Sequence, residues 1–238
     1  MLQMIKEYPP LEKPKKIRIK FTKGGDMIYI SHLDLVRTMT RAIIRARVPV
    51  KYTEGYNPIP KLVFAAPLSV GASSECEYLD IKIDRDMSCV DIYKSLSKQF
   101  ESGIEILDVY EPKTKFTDAE YSSYSIMISD PSISKESYST LREVFLADKL
   151  IVTKRTKSGE KDVDILPYIK SFEISYEDHT ISIDALLCVS SANYLNPEYI
   201  VNVVYDTLSI SKDNYEPDAF CTIDRTHLYL TDGVTLFK

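Results

Sequence analysis

Arg37, Arg41 and Arg45 recur at every fourth position, and three guanidiniums spaced by one helical turn present forked donors suited to phosphates or carboxylates. Only Asp34 is near enough along the segment to neutralise them, so repulsion of about 0.2–0.5 kcal/mol per like pair goes uncompensated locally. That points to an anion from outside the helix: RNA, a partner protein, or the acidic remainder of the chain. His32 stands in the first turn of the same segment, where the helix dipole favours a neutral imidazole. It is the one candidate general base, with Tyr29 and Lys61 as possible acid, base or charge stabiliser. Against that role, its helical angle groups it with Met39 and Ile43, which favours a hydrogen-bonded, half-buried structural histidine.

Other chemistry-bearing groups are more scattered. Lys23-Gly24-Gly25, and the run from Lys154 and Arg155 to Lys161, are basic glycine-containing turns able to grip a phosphate backbone, but neither follows a nucleotide-binding pattern. Tyr56-Asn57-Pro58-Ile59-Pro60-Lys61 is a proline-stiffened loop whose phenol, amide and ammonium suit a base edge or a protein backbone; its bland alternative is a rigid turn that sets strand register. The carboxylate pairs Glu75/Glu77 and Asp162/Asp164 have no histidine companion and read as capping or ion-pair groups. Cys76, Cys89, Cys188 and Cys221 form no CxxC pair, so neither a thiolate metal site nor an iron–sulfur cluster is expected, and no cofactor is.

The elements that carry these residues follow from periodicity. Strict alternation in Lys16-Ile17-Arg18-Ile19-Lys20-Phe21 predicts a strand with Ile17, Ile19 and Phe21 facing the core and Lys16, Arg18 and Lys20 on the other face. Ser31 caps a helix that Pro49 ends by about Arg47, with Leu35, Val36, Met39, Ala42, Ile43 and Ala46 on one inward face and the arginines outward. A short strand at Lys61–Ala65, a stronger one at Glu77–Ile83, a helix at Ser88–Glu101 and a strand at Ile104–Val109 complete the order β-α-β-β-α-β. This order is that of the ferredoxin-like unit, whose helices cover one sheet face and leave the other open. On that open face Lys16, Arg18 and Lys20 would neighbour Tyr78 and Lys82, a basic surface with an interleaved aromatic.

The chain reads as α+β: a flexible tail at 1–14, a basic ferredoxin-like domain at 15–112 and an acidic α+β domain at 113–238, for which a second ferredoxin-like or a related arrangement is open. In the second part we read strands at 121–128, 150–155, 172–176, 180–187 and 227–230, and helices at 135–147 and 197–208. The 238 residues carry a net charge of −5. That average hides an asymmetry, because Met1–Lys61 holds 13 basic and 5 acidic residues, a net +8. No apolar run is long enough to span a membrane and the first residues lack the apolar core of a secretion signal, so a cytoplasmic chain is expected.

Tyr29-Ile-Ser-His-Leu-Asp-Leu-Val-Arg37, Arg41-Ala42, Arg45-Ala46, Pro49 and Gly55-Tyr-Asn-Pro58-Ile-Pro-Lys61, with Pro67-Leu68, Gly71 and Glu75-Cys-Glu-Tyr-Leu-Asp80, resemble the bacterial radical-SAM-linked family of unknown function. Lys154–Ile165 is a second, weaker anchor. The chain departs from the family pattern at Ile59, where NPHPK would place histidine. The resemblance implies a separate radical S-adenosylmethionine protein as partner and a setting in RNA or ribosome biology. The leading expectation is therefore an accessory module, without catalysis of its own, that binds RNA or a ribosome-related target and acts with that enzyme. The alternatives are a protein–protein adaptor for the radical enzyme and an RNA-processing enzyme using His32.

Overall fold

The structure, a computed structural model, describes residues 8–156, 159–211 and 218–238, without the side chains of Arg155 and Thr156. The chain divides into two compact units, Met1–Lys115 with Lys238, and Phe116–Phe237, against the 112/113 boundary read from the sequence.

The first unit contains β1 (Pro10–Lys23), α1 (His32–Arg45), β2 (Val63–Phe64), β3 (Ser73–Arg85), α2 (Cys89–Ser97) and β4 (Ile106–Tyr110). Its strands lie in the order β4-β1-β3-β2, every pair antiparallel, which is the ferredoxin-like arrangement. Ile17, Ile19 and Phe21 of β1 pack with Leu35, Met39, Ala42 and Ile43 of α1 and with Ile92 and Leu96 of α2 in one core. Burying each of the larger side chains contributes about 1.5–3 kcal/mol. Ser31 Oγ accepts from the Asp34 backbone N–H at 3.2 Å and so caps α1, and Arg47, at φ 55, turns the chain out of it.

The strand starts at Pro10, not Lys15, which corrects the flexible lead-in over the described residues 8–14. Pro10 lies opposite Arg85, with a register shift before Lys15; at the first residue of a strand its missing N–H costs no ladder bond. Asp86 N–H donates to the Pro9 carbonyl at 2.9 Å, and Tyr8 and Leu11 pack against the core.

The second unit contains β5 (Tyr121–Ser129), α3 (Lys135–Phe145), β6 (Ile151–Thr156), β7 (Gly159–Asp164), β8 (Ile169–Glu177), β9 (Thr180–Cys188), α4 (Glu198–Leu208) and β10 (Phe220–Tyr229). The order β10-β5-β9-β8, again all antiparallel, repeats the first unit's plan. Ile126, Ile128, Ile181, Ile183, Leu141, Phe145, Ile200 and Val204 are buried in it. The strand expected at Leu150–Arg155 is one arm of the separate β6–β7 hairpin and not a member of the sheet. Its partner β7, Gly159-Glu-Lys-Asp-Val-Asp164, is too polar to announce itself. β10 begins at Phe220, seven residues before the expected His227, because residues 220–224 have no buried face to announce a strand and the first buried member is Arg225. Among the described residues no helix is long and apolar enough to cross a membrane.

Candidate functional site

Arg37, Arg41 and Arg45 lie on the exposed side of α1, opposite the buried stripe, as the 3.6-residue period requires. Arg37 donates to Asp34 at 2.9 Å, and Arg45 to the Gln99 carbonyl at 3.2 Å. Arg41 has no hydrogen-bond or ion-pair partner among the described residues. The Asp34 carboxyl is held below its ordinary value by the Ser31 hydroxyl and then by Arg37. Leu33 and Ile44 on the same helix are at least half exposed.

His32 is exposed, which corrects its placement in the buried stripe. A helical angle says which way a side chain points, not whether the sheet extends far enough to cover it, and the first turn of α1 runs past the core. Its ring meets Phe64 edge-on, with centroids 5.3 Å apart. No hydrogen bond joins it to Tyr29, which is also exposed, or to Lys61.

The outer face of the first sheet is not the open basic surface expected for Lys16, Arg18 and Lys20. Arg18 is fully buried. Its Nε and Nη2 grip both Asp80 oxygens at 2.7 and 2.9 Å, and its Nη1 donates to Thr114 Oγ1 at 2.8 Å and to the Lys238 carbonyl at 3.1 Å. The register makes this inevitable, since Arg18 sits directly across the ladder from Asp80, and a bidentate pair with further hydrogen bonds offsets the cost of desolvating both charges. Lys16 joins Asp80 from the rim. Lys20 lies over the Tyr78 ring at 5.9 Å, and Tyr78 itself is buried, so the aromatic offers no stacking surface. Burial pushes the nearby Tyr110 phenol up to about 12, partly offset by Arg18. Lys23 is buried too, donating to the Ile28 and Ala72 carbonyls at 3.2 Å. Its turn packs on Gly103, at φ +73, where a Cβ would come within 2.8 Å of the Gly24 carbonyl oxygen and so has no room. That turn is a packing device, not a phosphate grip.

The segment after α1 builds something the periodicity did not suggest. Residues 49–51 run alongside the last residues of β3: Asp84 N–H donates to the Pro49 carbonyl at 3.1 Å, and Lys51 N–H to the Lys82 carbonyl at 2.6 Å. The chain then leaves the edge as a finger and returns to it at Val63, opposite Asp80. Thr53 N–H donates to Ile59 at 2.8 Å, Ile59 N–H to Thr53 Oγ1 at 3.1 Å, and Tyr52 bridges Pro60. Glu54, Gly55, Tyr56, Asn57 and Pro58 form an exposed tip, with the Tyr56 ring entirely in solvent. At the base, Lys51, Tyr52, Thr53, Glu54, Lys61 and Lys82 line a cavity of about 280 Å³. Lys61, expected beside Tyr56 and Asn57, lies at this base rather than the tip. Lys51 and Tyr52 escaped the sequence reading; the nearest signal was their place just ahead of the proline-stiffened loop.

In the second unit Lys154 lies on β6, half-buried, with Tyr199 at 4.7 Å and Tyr168 at 5.8 Å from its ammonium. Burial lowers its pKa, and the two rings hold the hairpin down, which replaces the phosphate-gripping turn. Arg155 is placed only by its backbone, opposite Glu160; its side chain and residues 157 and 158 lie outside the described residues. Asp162 accepts from Thr153 at 2.9 Å, and Asp164 from the Leu150 and Leu166 backbones. Among the described residues no three His, Cys, Asp or Glu side chains are grouped to hold a metal ion. Burial raises the Cys89 and Cys188 thiols.

No curated protein matches the chain. One solved structure, titled "Crystal Structure of an Unknown Protein from Galdieria sulphuraria", aligns over 90% of this chain and 99% of its own at 7% identity and a TM-score of 0.26, too distant to carry an argument. A family model described as "Uncharacterized protein conserved in bacteria (DUF2344)" matches residues 16–197, from β1 to the start of α4. The chain belongs to this family of uncharacterized proteins conserved in bacteria.

Proposed function

We propose that the chain is a binding module, without catalysis of its own, that recognises RNA or a ribosome-related target and acts with a separate radical S-adenosylmethionine enzyme. The observation that carries the reading is unbalanced positive charge on one exposed unit: the arginine row of α1, where Arg41 has no described partner, and the lysine-lined cavity under the finger. Exposed cations that nothing nearby neutralises raise the local concentration of a polyanion and bind it through counterion release. The resemblance of the Ser31–Ala46 and Gly55–Lys61 runs to radical-SAM-linked proteins supports the choice of partner.

The test is retention of RNA by the purified chain across a salt series. Binding is expected at low salt, falling steeply as salt rises, and R37A/R41A/R45A should weaken it and flatten the slope by about one for each phosphate no longer held. Absence of RNA retention at low salt would sink the reading.

A second reading, adaptor to the radical enzyme, is favoured by Leu33 and Ile44, exposed apolar side chains on the same helix as the arginines. An interface with an apolar centre and a charged rim has this composition. It predicts that the chain co-purifies with a co-expressed radical enzyme, that the arginine variant does not, and that neither retains RNA.

A further inference from the structure

The cavity at the base of the 52–60 finger combines features of a nucleotide site. Lys51, Lys61 and Lys82 line it, three cationic residues against one carboxylate, Glu54, which is nearly all in solvent and 3.9 Å from Lys51. The ammoniums of Lys61 and Lys82 have no partner among the described residues. Their backbones are nevertheless pinned, since Lys51 N–H donates to Lys82 at 2.6 Å and Lys61 N–H to Lys51 at 3.3 Å. The ladder therefore holds the three backbone positions side by side, so that binding has only the lysine side chains left to order. Thr53 Oγ1 spends a lone pair on the Ile59 N–H, which leaves its own proton free to donate. Tyr52 lines the same cavity and is 43% exposed, so its phenol is accessible to a flat partner. At about 280 Å³ the space sits at the small end of ligand pockets, which suits one unpaired nucleotide and not the width of a duplex.

We propose that this cavity is a subsite for single-stranded RNA, in which Lys51, Lys61 and Lys82 hold one phosphate and Tyr52 stacks the adjoining base. The inference rests on the RNA reading above and narrows it to unpaired RNA. Stacking on a phenol tolerates any base, and the lysines act as point charges, so the subsite reads backbone and strandedness, not sequence.

The experiment measures binding of the full chain to a fluorescent short oligoadenylate and to an RNA hairpin duplex of matched length. The wild type is compared with Lys61→Gln/Lys82→Gln, Tyr52→Leu and Tyr52→Phe, each checked for an unchanged melting curve; the altered lysines are exposed, and Tyr52→Phe keeps the ring. The single strand should bind better than the duplex. The lysine variant should lose about tenfold or more in affinity, with the salt slope shallower by about one. Tyr52→Leu should lose about tenfold and Tyr52→Phe stay near wild type. A wild type that binds the single strand while the lysine variant binds it equally well overturns the subsite and leaves the RNA reading standing, as does a wild type indifferent to strandedness. A wild type that retains neither RNA overturns the RNA reading itself, and the subsite with it.

Discussion

The two units follow one plan and use it differently. Both run β-α-β-β-α-β with the strand order fourth, first, third, second, yet Met1–Lys115 with Lys238 carries 20 basic and 15 acidic residues, whereas Phe116–Phe237 carries 10 and 20. Both also elaborate the same connection, between the first helix and the second strand. In the first unit it is the finger that leaves the edge of β3 after Lys51; in the second it is the β6–β7 hairpin. The finger ends in a solvent-exposed Tyr56 and leaves the Lys61 and Lys82 ammoniums uncommitted, while the hairpin commits Lys154 to two tyrosine rings. The sheet and helices supply the frame in both cases; what each unit can bind is decided in one loop.

The sharpest way to break this comparison is to attack the buried Arg18–Asp80 pair of the first unit's sheet. Arg18→Met leaves the buried Asp80 with only Lys16 at the rim to balance it and should destabilise the first unit by about 3 kcal/mol in denaturant titration, whereas R18M/D80L, which removes both charges, should recover most of that loss. A single variant costing no more than a surface change would mean that the pair is solvated and that the sheet face is open after all.

Next in size is the contrast between the lysines of the two elaborated connections. Lys154→Ala should cost about 0.5–2 kcal/mol by removing its ring contacts, and Lys61→Ala should stay within about 0.5 kcal/mol in stability while weakening RNA retention. Equal stability effects, read from thermal melts, would erase the distinction between a committed and an uncommitted lysine. Caps offer a comparison in which the units should agree: Ser31 caps α1, and Ser134 caps α3 in a reciprocal box with Ser137. Ser31→Ala and Ser134→Ala should each cost about 1 kcal/mol.

The smallest effect is in pH. The folded Asp34 carboxyl lies below its ordinary value of 3.8, so its contribution to α1 is complete above that pH and is lost as pH falls through the lowered folded value. Asp34→Asn should flatten that acid limb of stability, and an unchanged limb would show that the Ser31 and Arg37 bonds to Asp34 do not form in solution.

Much of the frame was legible from Lys16–Phe21, Ser31 and the apolar spacing of α1, because alternation and helical angle are local and each residue carries its own evidence. The site was legible only in part. Asp80 reads as an ordinary strand residue, and its bond to Arg18 depends on a register between positions 62 residues apart, which period-two alternation cannot supply. His32 failed for the opposite reason: its angle was right, but the extent of the surface meant to cover it was not in the helix. β7 was missed because exposed hairpin strands need no apolar face.

By itself, then, the sequence determined the elements, their inward faces, the capping of α1 and an arginine row that must look outward, all consequences of backbone period and side-chain transfer energy. Tertiary structure alone decided which cations are spent and which are free. Arg18, Lys23 and Lys154 are consumed by partners brought close through register and packing, while Lys61 and Lys82 line the cavity under the finger with no described partner for their ammoniums. Charge acts through distance and burial, and neither exists until the chain has folded.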